Sequence, residues 1–119
     1  MSSDPYNETV RVLFAAPAHA GSLAAGTSVL ADDQGVRIEL SASVTDSQIL
    51  ALRFRVWGCP HLIAAAEWVC DHYEGGPASA LEIFPVARIM EDLAVPTEKT
   101  GRILVLEDAI QSLGRSLNH

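Results

Sequence analysis

The chain has 119 residues, 49% of them hydrophobic, with 8 Lys and Arg against 15 Asp and Glu, a formal net charge of −7. That length and apolar content suit one domain with a real core, spanning 1–119, and the negative balance without any clustered basic run argues against nucleic acid as a partner. No apolar stretch is longer than Leu62 to Ala66, far short of the roughly 20 residues of a membrane span, and the opening M-S-S-D-P-Y-N-E does not read as a signal peptide. The expectation is a soluble, cytoplasmic protein with no membrane partner.

Taken in chain order, Tyr6, Val10, Leu13 and Phe14 recur at spacings of three and four, which predicts a short amphipathic helix over Pro5 to Ala15 with Asp4 as its N-cap. A-P-A-H-A-G-S-L-A-A-G reads as a loop by its Pro and Gly content. A weaker strand follows around Thr27 to Ala31. Val36, Ile38 and Leu40 then alternate with polar residues, and Leu50, Leu52, Phe54 and Val56 alternate with Ala51, Arg53 and Arg55. With T-D-S-Q between them, these runs predict an antiparallel hairpin.

After Gly58 the period changes from two to about 3.6. Leu62, Ala65, Ala66, Val69, Cys70 and Tyr73 share a helical face, with Pro60 at the helix start and Gly75-Gly76 at its stop. A short helix is expected from Pro77 to Leu81, and another from Val86 to Leu93 after the interruption at Pro85. A final helix carries Ile103, Leu106, Ile110, Leu113 and Leu117 inward, with Thr97 placed to cap it and Glu98 near the positive end of its dipole. Strands first and helices afterward predict an α+β sandwich: a small antiparallel sheet of about three strands packed against several helices on one face.

The chemistry-bearing residues concentrate in F-R-V-W-G-C-P-H-L, residues 54–62. Cys59 ends a strand and precedes a helix opened by Pro60, so the helix dipole and the free N–H groups of the first turn favour its thiolate. His61, two residues on, can supply an imidazole nitrogen to a metal. C-P-H alone reads equally as a functional thiol and as a structural cap, because a metal centre wants three or four ligands. Cys70 lies eleven residues further, about 16 Å along a straight helix, too far for a disulfide or a shared metal within one chain. It reads as core.

His19 and His72 read as solvated surface histidines, and the pairs Asp32-Asp33, Glu91-Asp92 and Glu107-Asp108 as solvated faces. Nothing forms a nucleophile, base and orienter set, so an enzyme is not expected.

Several segments resemble the IscU/NifU N-terminal family of iron–sulfur cluster assembly scaffolds. L-F-A-A-P-A-H-A-G-S-L resembles that family's H-Y-x-N-P-R-N-V-G-S-L, and F-R-V-W-G-C its F-K-T-F-G-C. A-V-P-T-E-K-T-G-R-I-L-V-L-E-D-A-I aligns without a gap on C-L-P-P-V-K-L-H-C-S-M-L-A-E-D-A-I, sharing Pro96, Lys99 and Glu107 to Ile110. The resemblance implies the family's sandwich fold and a site where three cysteines, an aspartate and a histidine hold a [2Fe–2S] cluster, with sulfur from a cysteine desulfurase. Only Cys59 keeps a family cysteine. Gln34 and Arg102 stand at the other two cysteine positions, Val36 at the aspartate and Gly101 at the histidine.

A [2Fe–2S] unit takes four ligands, mostly thiolates, and Cys59 with His61 offers two. A C2 homodimer would bring four together. Arg102, placed near Cys59 by the resemblance, favours a thiolate and suits sulfur acceptance or anion binding better than iron. The family's L-P-P-V-K chaperone-recognition segment reads V-P-T-E-K here, with Pro96 and Lys99 retained as partner-binding candidates. The leading expectation is a divergent IscU-like protein of cluster assembly, with Cys59 as sulfur acceptor or as one ligand of iron or a shared [2Fe–2S] cluster. A second is an adaptor that binds a desulfurase or another assembly component without metal. A third is zinc held by Cys59 and His61 with groups from elsewhere.

Overall fold

The computed structural model describes residues 7–23, 25–84 and 86–118. After helix α1 (Glu8–Ala15) come three strands, β1 (Thr27–Asp33), β2 (Val36–Thr45) and β3 (Gln48–Trp57). Helix α2 (Pro60–Tyr73), a 3-10 turn (Ala78–Ile83), helix α3 (Ala87–Asp92), a second 3-10 turn (Thr97–Lys99) and helix α4 (Thr100–Asn118) complete the chain. The sheet is antiparallel in the order β1-β2-β3. α4 lies over β1 and β2 and α2 over β3, all on one face, as the α+β expectation requires.

Both hairpins turn on two residues with positive φ, the arrangement whose twist matches that of paired strands. Asp46 and Ser47 (φ 53° and 66°) join β2 to β3, while Gln34 and Gly35 (φ 54° and 74°) join β1 to β2. Register follows directly: Asp33 pairs with Val36, and Thr45 with Gln48. Inward positions Val36, Ile38, Leu40 and Ala42 of β2 meet Leu52 and Phe54 of β3, all buried.

One inward assignment fails. Leu50 is 62% exposed and Ile49 is fully buried in its place. The register slips between Ser43 and Val44, so that Ser43 faces Ala51 but Val44 faces Ile49, and Leu50 becomes the extra residue of a bulge. An inserted residue interrupts the period of two, which strict alternation cannot register.

The helices are set by local chemistry. α1 is capped by Asn7, whose side-chain oxygen accepts from Val10 N–H at 2.8 Å; the expected cap Asp4, with Pro5 and Tyr6, lies outside the described residues. α2 opens on Pro60, where a missing N–H forfeits no intrahelical bond, and stops before Gly75 at φ 89°. Its middle is covered nearly all round, from Ala64 to Cys70, by the sheet, α1 and the helices after it. Phe84 seals the far end edge-on to the Tyr73 ring at 5.4 Å. The helix expected over Pro77 to Leu81 is the tighter 3-10 turn. Thr97 caps nothing: it lies inside the second 3-10 turn, entered from Pro96 without a side-chain cap, and α4 proper begins at Thr100. α4 buries Ile103, Leu106, Ile110 and Leu113, with Leu117 half-buried, as its spacing predicts.

Candidate functional site

Three chain segments converge at one end of the sheet: the β1–β2 turn, the β3–α2 junction and the start of α4. A side chain at Gly101 would begin 3.4 Å from the Gln34 Oε1, and one at Gly58 would begin 3.3 Å from Val36 Cγ1. Residues 34, 36, 58 and 101 are therefore neighbours, although they are up to 67 positions apart in sequence. The strands bring the turn to the level of Cys59, and the chain reversal at Pro96 brings Lys99 and Arg102 to it from the other side.

Cys59 is the N-cap of α2 and is half-buried. Its carbonyl accepts from Leu62 N–H at 3.0 Å and Ile63 N–H at 3.1 Å. Its sulfur closes no capping hydrogen bond of its own, so the first turn acts on it as a cluster of positive dipole ends. Burial opposes ionisation of this thiol. The Leu62 N–H, the Lys99 ammonium, the Arg102 guanidinium and the His61 N–H together outweigh burial and hold its pKa below the ordinary thiol value.

His61 is fully buried, and its Nδ1 stands 3.0 Å from Lys99 Nζ. Burial and the adjacent ammonium lower its pKa, with Glu98 opposing, so the neutral ring accepts from Lys99. Lys99 is half-buried and near enough to Cys59 to favour its thiolate, and Pro96 forms the half-buried entry to the turn that carries it. Cys70 is fully buried, its thiol pushed up by burial first and by Glu67 and Glu74 next. It is a core residue, as its spacing predicts.

The donor set around Cys59 does not fit an iron or cluster site. Gln34, Gly101 and Arg102 supply no thiolate or imidazole, and Lys99 and Arg102 add positive charge beside the one sulfur. Among the described residues no three His, Cys, Asp or Glu side chains come together as a metal group. The arrangement stabilises an anion on sulfur instead.

A polar cluster that sequence reading missed ties the His19 segment to α2 and β3. His19 is not a solvated histidine: its N–H donates to Glu67 Oε1 at 2.8 Å, its Nδ1 meets Glu67 Oε2 at 2.5 Å, and its Nε2 meets Glu74 Oε1 at 3.2 Å. Glu74 also accepts from Leu52 N–H at 2.8 Å and from Arg53 at 2.5 Å. Burial disfavours the charged ring, but both carboxylates outweigh it and raise the His19 pKa. The one signal in the sequence was Glu67 itself, a lone carboxylate inside the apolar run A-A-A-E-W-V-C. His72 is exposed as expected and stacks on Trp68 at 3.8 Å. Glu107 departs from a solvated face by accepting from Val86 N–H at 3.0 Å.

No family model and no curated protein matches the sequence. Solved structures do match in shape. The crystal structure of a nitrogen-fixing NifU-like protein (N-terminal) from Brucella abortus superposes with a TM-score of 0.75 at 13% identity, covering 94% of this chain and 93% of that one. A hypothetical protein solved at 2.3 Å resolution gives 0.70 at 18% identity over 93% and 95%. A putative iron–sulfur cluster assembly scaffold protein for the SUF system, from the thermophile Fervidobacterium islandicum, gives 0.62 at 15% identity over 88% and 81%. Among the described residues no helix is long and apolar enough to cross a membrane. With its three-stranded antiparallel sheet covered on one face by helices, the chain has the IscU/NifU-like fold.

Proposed function

We propose that this chain takes part in iron–sulfur cluster assembly as a sulfur acceptor, through Cys59, and does not itself hold iron. The observation that supports this reading is the pairing of one acidic thiol with two cations, Lys99 and Arg102, where a cluster scaffold would need further thiolates. The sulfur donor is a cysteine desulfurase. The Cys59 thiolate attacks the terminal sulfur of the donor's persulfide, a new S–S bond forms at Cys59, and the donor cysteine leaves as a thiolate. Electrons balance without an external oxidant. The product persulfide is an anion, held by Lys99 and Arg102, with His61 keeping Lys99 in place.

The test is incubation with a cysteine desulfurase and L-cysteine, followed by mass analysis of the peptide that contains Cys59. A gain of one sulfur atom, removed by a reducing agent and missing in Cys59→Ser, is expected; no such gain refutes the reading. Anaerobic incubation with iron and sulfide should leave no Cys59-dependent iron on the protein. The loss of thiolates at Gln34 and Arg102 also favours the adaptor reading. Capture of the desulfurase by wild type and Cys59→Ser alike, with no sulfur on either, would assign that role instead.

A further inference from the structure

Residues 16–26 leave α1, run along the edge of β3 and pass on to β1 without joining the core. Among the described ones none is buried, and none belongs to the apolar cluster that Leu13 and Val29 join on either side. Apolar burial therefore does not hold this strap. Polar ties do. Phe54 N–H donates to His19 O at 3.1 Å, and Gly21 N–H donates to Phe54 O at 2.7 Å, which closes the edge of β3 at that rung. Leu23 N–H reaches Ser41 Oγ at 3.3 Å. The remaining tie is His19, through its own N–H and both ring nitrogens.

The ring sits between two carboxylates. Nδ1 faces Glu67 Oε2 and Nε2 faces Glu74 Oε1, so each nitrogen meets an acceptor. A neutral imidazole has one N–H and one lone pair, whereas the imidazolium has two N–H groups. Only the protonated ring satisfies both contacts, and loss of its proton sets a lone pair against a carboxylate. The charged groups around the ring are Glu67 on α2, Glu74 at the C-cap of α2, and Arg53 on β3, which is committed to Glu74 and to Leu52 O. Cys70, beside both carboxylates, stays a neutral thiol because burial first and those carboxylates next push it up. Two carboxylates are thus balanced by one guanidinium and one imidazolium. Among the described residues the Glu67 carboxylate, 5% exposed, bonds only to His19, so deprotonation leaves a buried charge without its cation.

We propose that His19, Glu67 and Glu74 form a pH-operated latch: the protonated ring holds the strap on β3, and its deprotonation lets residues 17–23 open from Phe54 while the rest of the domain stays folded. Opening frees the edge N–H and C=O of Phe54 and withdraws Pro17, Ala20 and Gly21 from the groove they line with Phe54 and Ile63. Burial works against the imidazolium, but Glu67 and then Glu74 outweigh it. The latch is therefore closed below a folded value that lies above the ordinary 6.5, and opens as pH rises through it. It is independent of sulfur chemistry at Cys59.

The test is hydrogen exchange of the Phe54 and Gly21 amides in the full chain from about pH 6 to 9, each rate divided by the intrinsic rate at that pH. The Ile110 amide of α4 reports global opening, and the His19 ring is titrated alongside by NMR. Protection of Phe54 and Gly21 should fall at least about threefold with the His19 midpoint, while Ile110 protection holds. His19→Gln, which keeps the backbone N–H but carries no charge, should give low protection with no step in pH. Glu67→Gln should move the His19 midpoint and the step together to lower pH, and it decides where His19→Gln fails to fold. Constant protection across the His19 titration, a parallel fall at Ile110, a step that survives in His19→Gln, or one that Glu67→Gln leaves in place overturns the proposal.

Discussion

Two glycines of α4 should respond to alanine with opposite signs. In a helix interior, Gly→Ala ordinarily stabilises by about 0.8–1.0 kcal/mol. Gly114, however, is the point where α4 crosses the first 3-10 turn. A Cβ there would lie 2.7 Å from Glu82 N and 2.9 Å from both Leu81 C and Leu81 Cβ. Two of those three atoms are backbone, so the overlap cannot be relieved by a rotamer change. Overpacking of this kind costs about 1–3 kcal/mol, which turns the propensity gain into a net loss of up to about 2 kcal/mol. Gly101 sits in the first turn, where a Cβ meets only the exposed Gln34 side chain at 3.4 Å. Gly101→Ala should keep most of the gain, about 0.5–1 kcal/mol. Urea unfolding of the two variants beside wild type should thus separate them by about 0.5–3 kcal/mol, Gly101→Ala above wild type and Gly114→Ala at or below it. Equal stabilisation by both would show that the close approach of α4 to the turn is wrong.

Replacing Lys99 or Arg102 by alanine should move the pH profile of Cys59 alkylation upward, because each cation favours the thiolate; an unchanged profile would remove them from the site. The His19 cluster should give a stability window in pH. The raised His19 pKa contributes stability below about 6.5 that is lost as pH rises through its folded value. Burial works against ionised Glu74, but its bonds from Leu52 and Arg53 and the nearby His19 prevail, and its lowered pKa contributes stability that is lost as pH falls through the folded value. His19→Ala should flatten the upper limb in urea midpoints measured across pH. Ile49→Ala should cost about 2–5 kcal/mol and Leu50→Ala under about 0.5 kcal/mol, checked by urea unfolding, because the bulge exchanges their faces. The double variant Gln34→Cys, Arg102→Cys should bind cobalt(II) with thiolate absorption that wild type lacks, since it restores three sulfurs at the converging segments.

Periodicity made most of this fold legible. The stripe from Ile103 to Leu113 and the alternation from Val36 to Leu40 each recorded which side faces the core, and burial of one face is what those patterns encode. Leu50 misled because a bulge leaves no mark on composition. His19 misled because its partners, Glu67 and Glu74, are 48 and 55 positions away, and local pattern carries no information about such pairings. The convergence at Cys59 was legible only through resemblance: nothing local to T-E-K-T-G-R says that it returns to the start of a helix about forty residues earlier.

On the proposed reading the same fold carries a different chemistry, and the residues that stand at the family's ligand positions share one electrostatic direction. A thiolate that must bind a divalent metal gains from neighbouring thiolates and carboxylates, which add negative charge and ligand atoms together. Here the neighbouring positions carry an amide at Gln34, no side chain at Gly101, an alkyl group at Val36 and a guanidinium at Arg102. His61, a ligand by type, accepts from Lys99 and so holds a second cation, an ammonium, near the sulfur. A metal ion approaching Cys59 would have to displace or neutralise both cations, while a sulfur anion growing on Cys59 meets them already in place. On the proposed reading Lys99 and Arg102 set the direction of the chemistry: removing either should raise the thiol pKa and weaken the proposed sulfur acceptance, and should not by itself create a metal site, because the missing thiolates would still be missing.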